Sequence, residues 1–134
     1  MSQVESAVLV LDCAEPEELA EFYRVLLDGE LERPAGDNRI ELVGAGGTRM
    51  AFRLDLNAAP ASWPRPDDSQ QAHLDLLVAV EHLDEVERQV IGLGARPLET
   101  RGNVGRTETR LYCDPAGHPF SLRSVRDRAQ PKSN

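Results

Sequence analysis

His73 and Asp75 stand two residues apart in the run His73-Leu74-Asp75-Leu76-Leu77-Val78. Residues two apart in a strand share a face, so an imidazole and a carboxylate would be presented together. An acid beside a histidine can orient the ring or hold a proton, which makes the pair a candidate for catalytic proton transfer. Structural explanations stay open for both: His73 as a packed, hydrogen-bonded histidine, Asp75 as a sheet-edge acceptor. The single tryptophan, Trp63, lies among Pro60, Pro64 and Pro66. It either packs into a groove of its own protein or a partner subunit, or forms a lid whose face stacks on a flat or cationic ligand. Arg53, Arg110 and Arg123 fall in strand-like runs, where they could pair with acids, receive an anion or face solvent. Cys13 and Cys113 have no CxxC spacing and read as reduced, buried thiols of a cytoplasmic protein. Cys113 has no neighbouring His or Lys to activate it as a nucleophile. His118 follows a turn glycine and helps shape that turn, whereas His82 begins a helix and is solvated.

Composition restricts the partners. The chain has 134 residues, with 15 Lys+Arg against 23 Asp+Glu and a net charge of −8. One domain of this size can bury about two-thirds of the surface its unfolded chain exposes. The acidic field opposes a phosphate backbone, so nucleic acid is not an expected partner, and a cationic or neutral small molecule is easier to hold. No apolar run approaches the roughly 20 residues of a membrane span. The first residues, Met1-Ser2-Gln3-Val4-Glu5, lack a basic n-region, so a signal peptide is not expected.

The elements that must carry these residues follow from periodicity. Val8-Leu9-Val10-Leu11, continued by Asp12-Cys13, reads as a strand. Pro16 then opens a helix with acids in its first turn, and Leu19, Phe22, Tyr23 and Leu26 mark its apolar face. Asp28-Gly29 stops it. Arg39–Val43 and Arg49–Leu54 flank the Gly44–Gly47 turn as a hairpin. That glycine run lacks a following helix and a phosphate-binding Lys, so it is no phosphate cradle. Met50, Phe52 and Leu54 alternate with Ala51 and Arg53; if the first set faces a ligand, Phe52 is a wall of its site. Residues 57–71 form a Pro-rich linker, and residues 126–134 a polar tail. Between them the pattern restarts: a strand from His73, a helix marked by Leu83, Val86 and Val90 and closed by Gly92-Leu93-Gly94, then strands around Thr109–Cys113 and Phe120–Val125 joined by Asp114-Pro115-Ala116-Gly117.

The halves match at a fixed offset. Val8 and His73 are 65 residues apart, as are Gly29 and Gly94, and the offset grows to about 70 at the last strand because the loop Arg101–Gly105 is longer. An internal duplication is therefore expected, with module one over about 5–56 and module two over about 72–125. Neither half can bury a sheet face alone, so the copies are expected to pack as one domain.

A βαβββ unit repeated in a chain of this length resembles the vicinal oxygen chelate superfamily, which includes glyoxalase I, extradiol dioxygenases and the fosfomycin- and bleomycin-resistance proteins. The likeness is carried by Asp12-Cys13-Ala14-Glu15-Pro16, Leu19-Ala20-Glu21-Phe22-Tyr23 and Leu26-Leu27-Asp28-Gly29. In the second half it is carried by His73-Leu74-Asp75-Leu76, Leu93-Gly94-Ala95 and Asp114-Pro115-Ala116-Gly117-His118-Pro119-Phe120. It is nearest to the glyoxalase-like subgroup. The resemblance implies an α+β fold of two tandem βαβββ modules whose mixed sheets form a cupped cavity. It also implies a homodimer, and a divalent metal held by His and Glu on the first and last strands of each module.

Carried onto this chain, the implied ligand positions are Val8, Ala51, His73 and Ser121. Only His73 ligates strongly, and Ser121 stands where the family's last-strand Glu would be. The usual metal is therefore disfavoured, and no other cofactor is expected. A slip of one or two residues would bring in Asp12, Asp75 or Glu41 instead. A slip of one turns the side chain to the other sheet face. The reading that follows is a glyoxalase-like, bleomycin-resistance-type protein that binds a small organic molecule, cationic or aromatic, through Val8, Phe52, Trp63, His73 and Ser121. The alternative is an enzyme of lyase, isomerase or dioxygenase type, using unrecognised metal ligands or His73 and Asp75. A structural or regulatory dimer with a vestigial cavity is a third.

Overall fold

Two four-stranded mixed sheets, each carrying one long helix, make up the chain. A computed structural model describes residues 3–36, 38–58, 72–99 and 108–125. Contacts divide it into two compact units, Met1–Pro60 and Ala61–Asn134.

In unit one, β1 (Leu9–Cys13) leads to α1 (Pro16–Leu27), then β2 (Glu30–Glu32), β3 (Arg39–Val43) and β4 (Arg49–Leu54). The sheet order is β1-β4-β3-β2, with β1 and β4 parallel and the rest antiparallel. Pro16 sits at the helix start, where its missing N–H costs nothing, with Glu17 and Glu18 in the first turn. α1 buries Leu19, Ala20, Phe22 and Tyr23, and it packs on β3 and β4. The Tyr23 ring stacks on Phe52 at 5.8 Å between centroids. That contact settles which alternate set of strand residues meets the helix. Ile40, Leu42, Met50 and Phe52 do, all of them buried. Val10, Asp12, Arg39, Glu41, Ala51 and Arg53 occupy the helix-free face.

Unit two repeats the plan: β5 (Leu74–Ala79), a 3₁₀ turn (Val80–His82), α2 (Leu83–Gly92), β6 (Arg96–Glu99), β7 (Thr109–Cys113) and β8 (Pro119–Val125), in the order β5-β8-β7-β6. Its parallel pair sets Leu74 beside Phe120 and Asp75 beside Ser121, as unit one sets Leu9 beside Met50 and Val10 beside Ala51. The strand correspondence at offsets of 65 and 70 is thus written in the hydrogen-bond register. Helix ends differ by one. Gly29 N–H bonds Arg24 O at 3.0 Å with Asp28 left-handed at φ 52, while Ala95 N–H bonds Val90 O at 2.9 Å with Gly94 at φ 114. Asp28, not Gly29, therefore plays the part of Gly94. Gly29 is needed for another reason, because a Cβ there would lie 2.6 Å from the Val43 carbonyl oxygen.

β2 and β6 are both edge strands. The periodicity picked out neither, since each is three or four residues long with little apolar alternation. Among the described residues, no helix is long and apolar enough to cross a membrane.

Candidate functional site

The helix-free face of the second sheet carries a hydroxyl–carboxylate pair where its counterpart has Val10 and Ala51. Ser121 on β8 is fully buried, and its hydroxyl donates to Asp75 Oδ1 on β5 at 2.6 Å. Their adjacency in the parallel register makes that bond possible across 46 residues of sequence. Asp75 Oδ2 stands 3.8 Å from Arg123 Nη1, two residues along β8 from Ser121. Leu77 lies beside Arg123 in the register, and Leu111 opposite Ser121. His73 precedes β5 and is exposed; no hydrogen bond joins it to Asp75 among the described residues.

The helix face of this sheet is polar in a different way. Arg110 on β7 donates to Glu108 at 2.6 Å, Glu87 at 2.6 Å and Asp84 at 2.9 Å, the last two on α2. Tyr112 donates its hydroxyl to the other Glu87 oxygen at 2.8 Å and stacks on Phe120. Burial acts to lower the Arg110 pKa, but the bonds to Glu108 and Asp84 and the charge of Glu87 outweigh it and hold the group above its ordinary value. Burial raises the Tyr112 phenol, and Glu87 raises it further. This cluster ties helix to sheet and is a structural use of Arg110. Arg53 is spent similarly, donating to both Asp12 oxygens at 2.7 and 2.9 Å.

The remaining sequence candidates fall as follows. Val8 is half-buried just ahead of β1, and Ala51 is fully buried beside Val10. Phe52 is fully buried and stacked on Tyr23, so its set faces the helix and Phe52 is a core residue. Trp63 lies outside the described residues. Cys13 and Cys113 are buried thiols, and burial pushes the Cys113 thiol up, against nucleophilic use. His118 does shape its turn: Asp114, itself buried, accepts from the backbone N–H of Ala116 and His118 and meets the His118 ring at 3.1 Å.

A model of the glyoxalase-like domain matches residues 8–123. The chain belongs to that family. Solved structures with the same fold include the hypothetical protein SA1046 from S. aureus, 18% identical, with a TM-score of 0.68 over 92% of this chain and 96% of that one. The fosfomycin resistance protein FosX from Listeria monocytogenes is 14% identical, with a TM-score of 0.72 over 92% and 95%. A glyoxalase/bleomycin resistance protein/dioxygenase family enzyme from Burkholderia phytofirmans is 15% identical, with a TM-score of 0.67 over 88% and 96%. No curated protein matches the chain in sequence.

A glyoxalase-like chain raises the question of a divalent metal, and the donor set answers it poorly. Val8 and Ala51 have no donor atom, and the Ser121 hydroxyl is committed to Asp75. Only the His73 ring is left of the four positions, and one imidazole does not make a metal site. Among the described residues, no three His, Cys, Asp or Glu side chains gather closely enough to hold an ion. The four positions that the resemblance implies, all among the described residues, do not fit the group.

Proposed function

We propose that this glyoxalase-like protein binds a small organic molecule in the manner of a bleomycin-resistance-type member, without the divalent metal. The observation that carries the reading is the Ser121–Asp75 hydrogen bond, which fills a position the resemblance implies for a metal-binding carboxylate with a neutral hydroxyl already in use. Native mass spectrometry of protein purified without added metal or chelator tests it. An apo mass, or one carrying an organic adduct, is expected; one divalent ion per chain would overturn the metal-free half of the reading. The same reading takes the protein to be a cytoplasmic homodimer, and sedimentation of monomer alone at micromolar concentration would remove that part.

An enzyme using His73 and Asp75 for proton transfer is the second reading. It is favoured by a carboxylate that Ser121 orients while leaving one oxygen half-open. Once any turnover is found, an unchanged kcat/KM in His73→Ala would remove that residue from the mechanism.

A further inference from the structure

Arg53 and Arg123 occupy equivalent positions, each two residues beyond the corresponding Ala51 or Ser121. Their neighbours differ. Asp12 lies beside Arg53 in the parallel register, and the two close with bonds of 2.7 and 2.9 Å. Leu77 lies beside Arg123, so this guanidinium reaches along the face to Asp75 and stops at 3.8 Å. Ser121 meanwhile holds the other oxygen of Asp75 and fixes the carboxylate in place. The pair is open on both sides: the Arg123 side chain is 49% exposed and that of Asp75 36%. A guanidinium has five N–H donors and an ionised carboxylate about four lone-pair sites, so this contact leaves most of both unused.

We propose that Arg123 and Asp75 form a two-point anchor for a small zwitterion of the α-amino acid type. Its carboxylate lies on Arg123 and its ammonium on Asp75 Oδ2, with Ser121 as the positioning residue. A ligand of one sign would meet a like charge at one of the two groups. Opposite charges on two substituents of one carbon match both, and a zwitterion carries no net charge for the acidic chain to repel. The inference rests on the small-molecule reading above and narrows its ligand class.

Three probes with one phenylalkyl frame separate the two points: L-phenylalanine, 3-phenylpropionate and 2-phenylethylammonium, each titrated into the full chain and followed by backbone amide NMR. L-Phenylalanine is expected to shift the amides of Asp75, Ser121 and Arg123 and to bind at least about tenfold more tightly than either fragment. Arg123→Gln and Asp75→Asn should each weaken it about tenfold or more, to the level of a fragment, while their spectra elsewhere stay those of the folded protein. Ser121→Ala should weaken L-phenylalanine and 2-phenylethylammonium but leave 3-phenylpropionate unchanged. Equal binding of all three probes, or variants with unchanged affinity, would overturn the anchor. Shifts confined to other amides would also overturn it while leaving a small-molecule binder. If no probe shifts any amide the anchor falls, and the broader reading is then decided by the adduct in native mass spectrometry.

Discussion

The two sheets share a register yet spend their equivalent positions on different chemistry. On the helix face, Ile40 of β3 and Arg110 of β7 correspond, because Ile40 lies opposite Phe52 and Arg110 opposite Leu122. Unit one fills the position with a buried aliphatic side chain beneath an aromatic stack. Unit two fills it with a guanidinium bonded to three carboxylates. On the helix-free face, Val10 and Ala51 stand where unit two has Asp75 and Ser121. A duplicated scaffold can thus keep its backbone pairing while the helix face of one copy is apolar and that of the other takes up a charge cluster.

The sharpest break should come in the apolar copy. Phe52→Ala removes a fully buried ring stacked on Tyr23 and is expected to cost about 3–5 kcal/mol by urea unfolding. Arg110→Gln in the polar copy should cost less, about 2–3 kcal/mol, because Asp84 is 78% exposed and water can solvate part of what is left. If Arg110→Gln proved the more damaging, the charge network and not the aromatic stack would be the stronger clamp. Unit two should also respond to alkali. The Tyr112 phenol is raised in the folded state, so its contribution is complete below its unfolded pKa of about 10 and is lost as pH rises toward the folded value. Wild type should therefore lose midpoint stability above about pH 10 more steeply than Tyr112→Phe does.

A smaller effect tests whether the hydroxyl–carboxylate pair depends on the register alone. Ala51→Ser places a hydroxyl at a fully buried site between Val10, which offers no side-chain acceptor, and Glu41, whose Oε2 already takes two bonds from Arg39, at a cost of about 1 kcal/mol. Adding Val10→Asp supplies the acceptor at the position that Asp75 holds relative to Ser121. The double variant should recover about 1 kcal/mol relative to the sum of the single changes. No recovery would mean that local packing, beyond the shared register, aims the Ser121 hydroxyl.

Much of this architecture is legible in the sequence, but unevenly. β1, α1, the β3–β4 hairpin, β5 and α2 announce themselves through apolar periodicity and punctuation, and the strand correspondence through constant offsets. β2, with Leu31 between two glutamates, and β6, which contains Pro97, carry too little alternation to stand out. His73 and Asp75 could be placed on one alternation from spacing alone. The Ser121–Asp75 bond could not, since it needs the pairing of two strands remote in sequence. Phe52 shows the same limit: alternation separates it from Ala51, but only the stack on Tyr23 decides which set meets the helix.

The smallest expected difference lies at the helix ends. Asp28 holds the left-handed conformation at φ 52 that Gly94 holds in unit two at φ 114. A side chain in that region strains against its own backbone, and glycine does not. Asp28→Gly should therefore stabilise unit one by about 0.5–1 kcal/mol. Gly94→Ala should destabilise unit two by about 1 kcal/mol or slightly more, because its new Cβ would also stand 3.3 Å from Pro115. Opposite signs from thermal unfolding of the two variants would establish that the helix stops align through Asp28. A loss in both would mean that the Asp28 side chain makes up for its strain, and that the one-residue shift between the modules reflects selection for aspartate at that position.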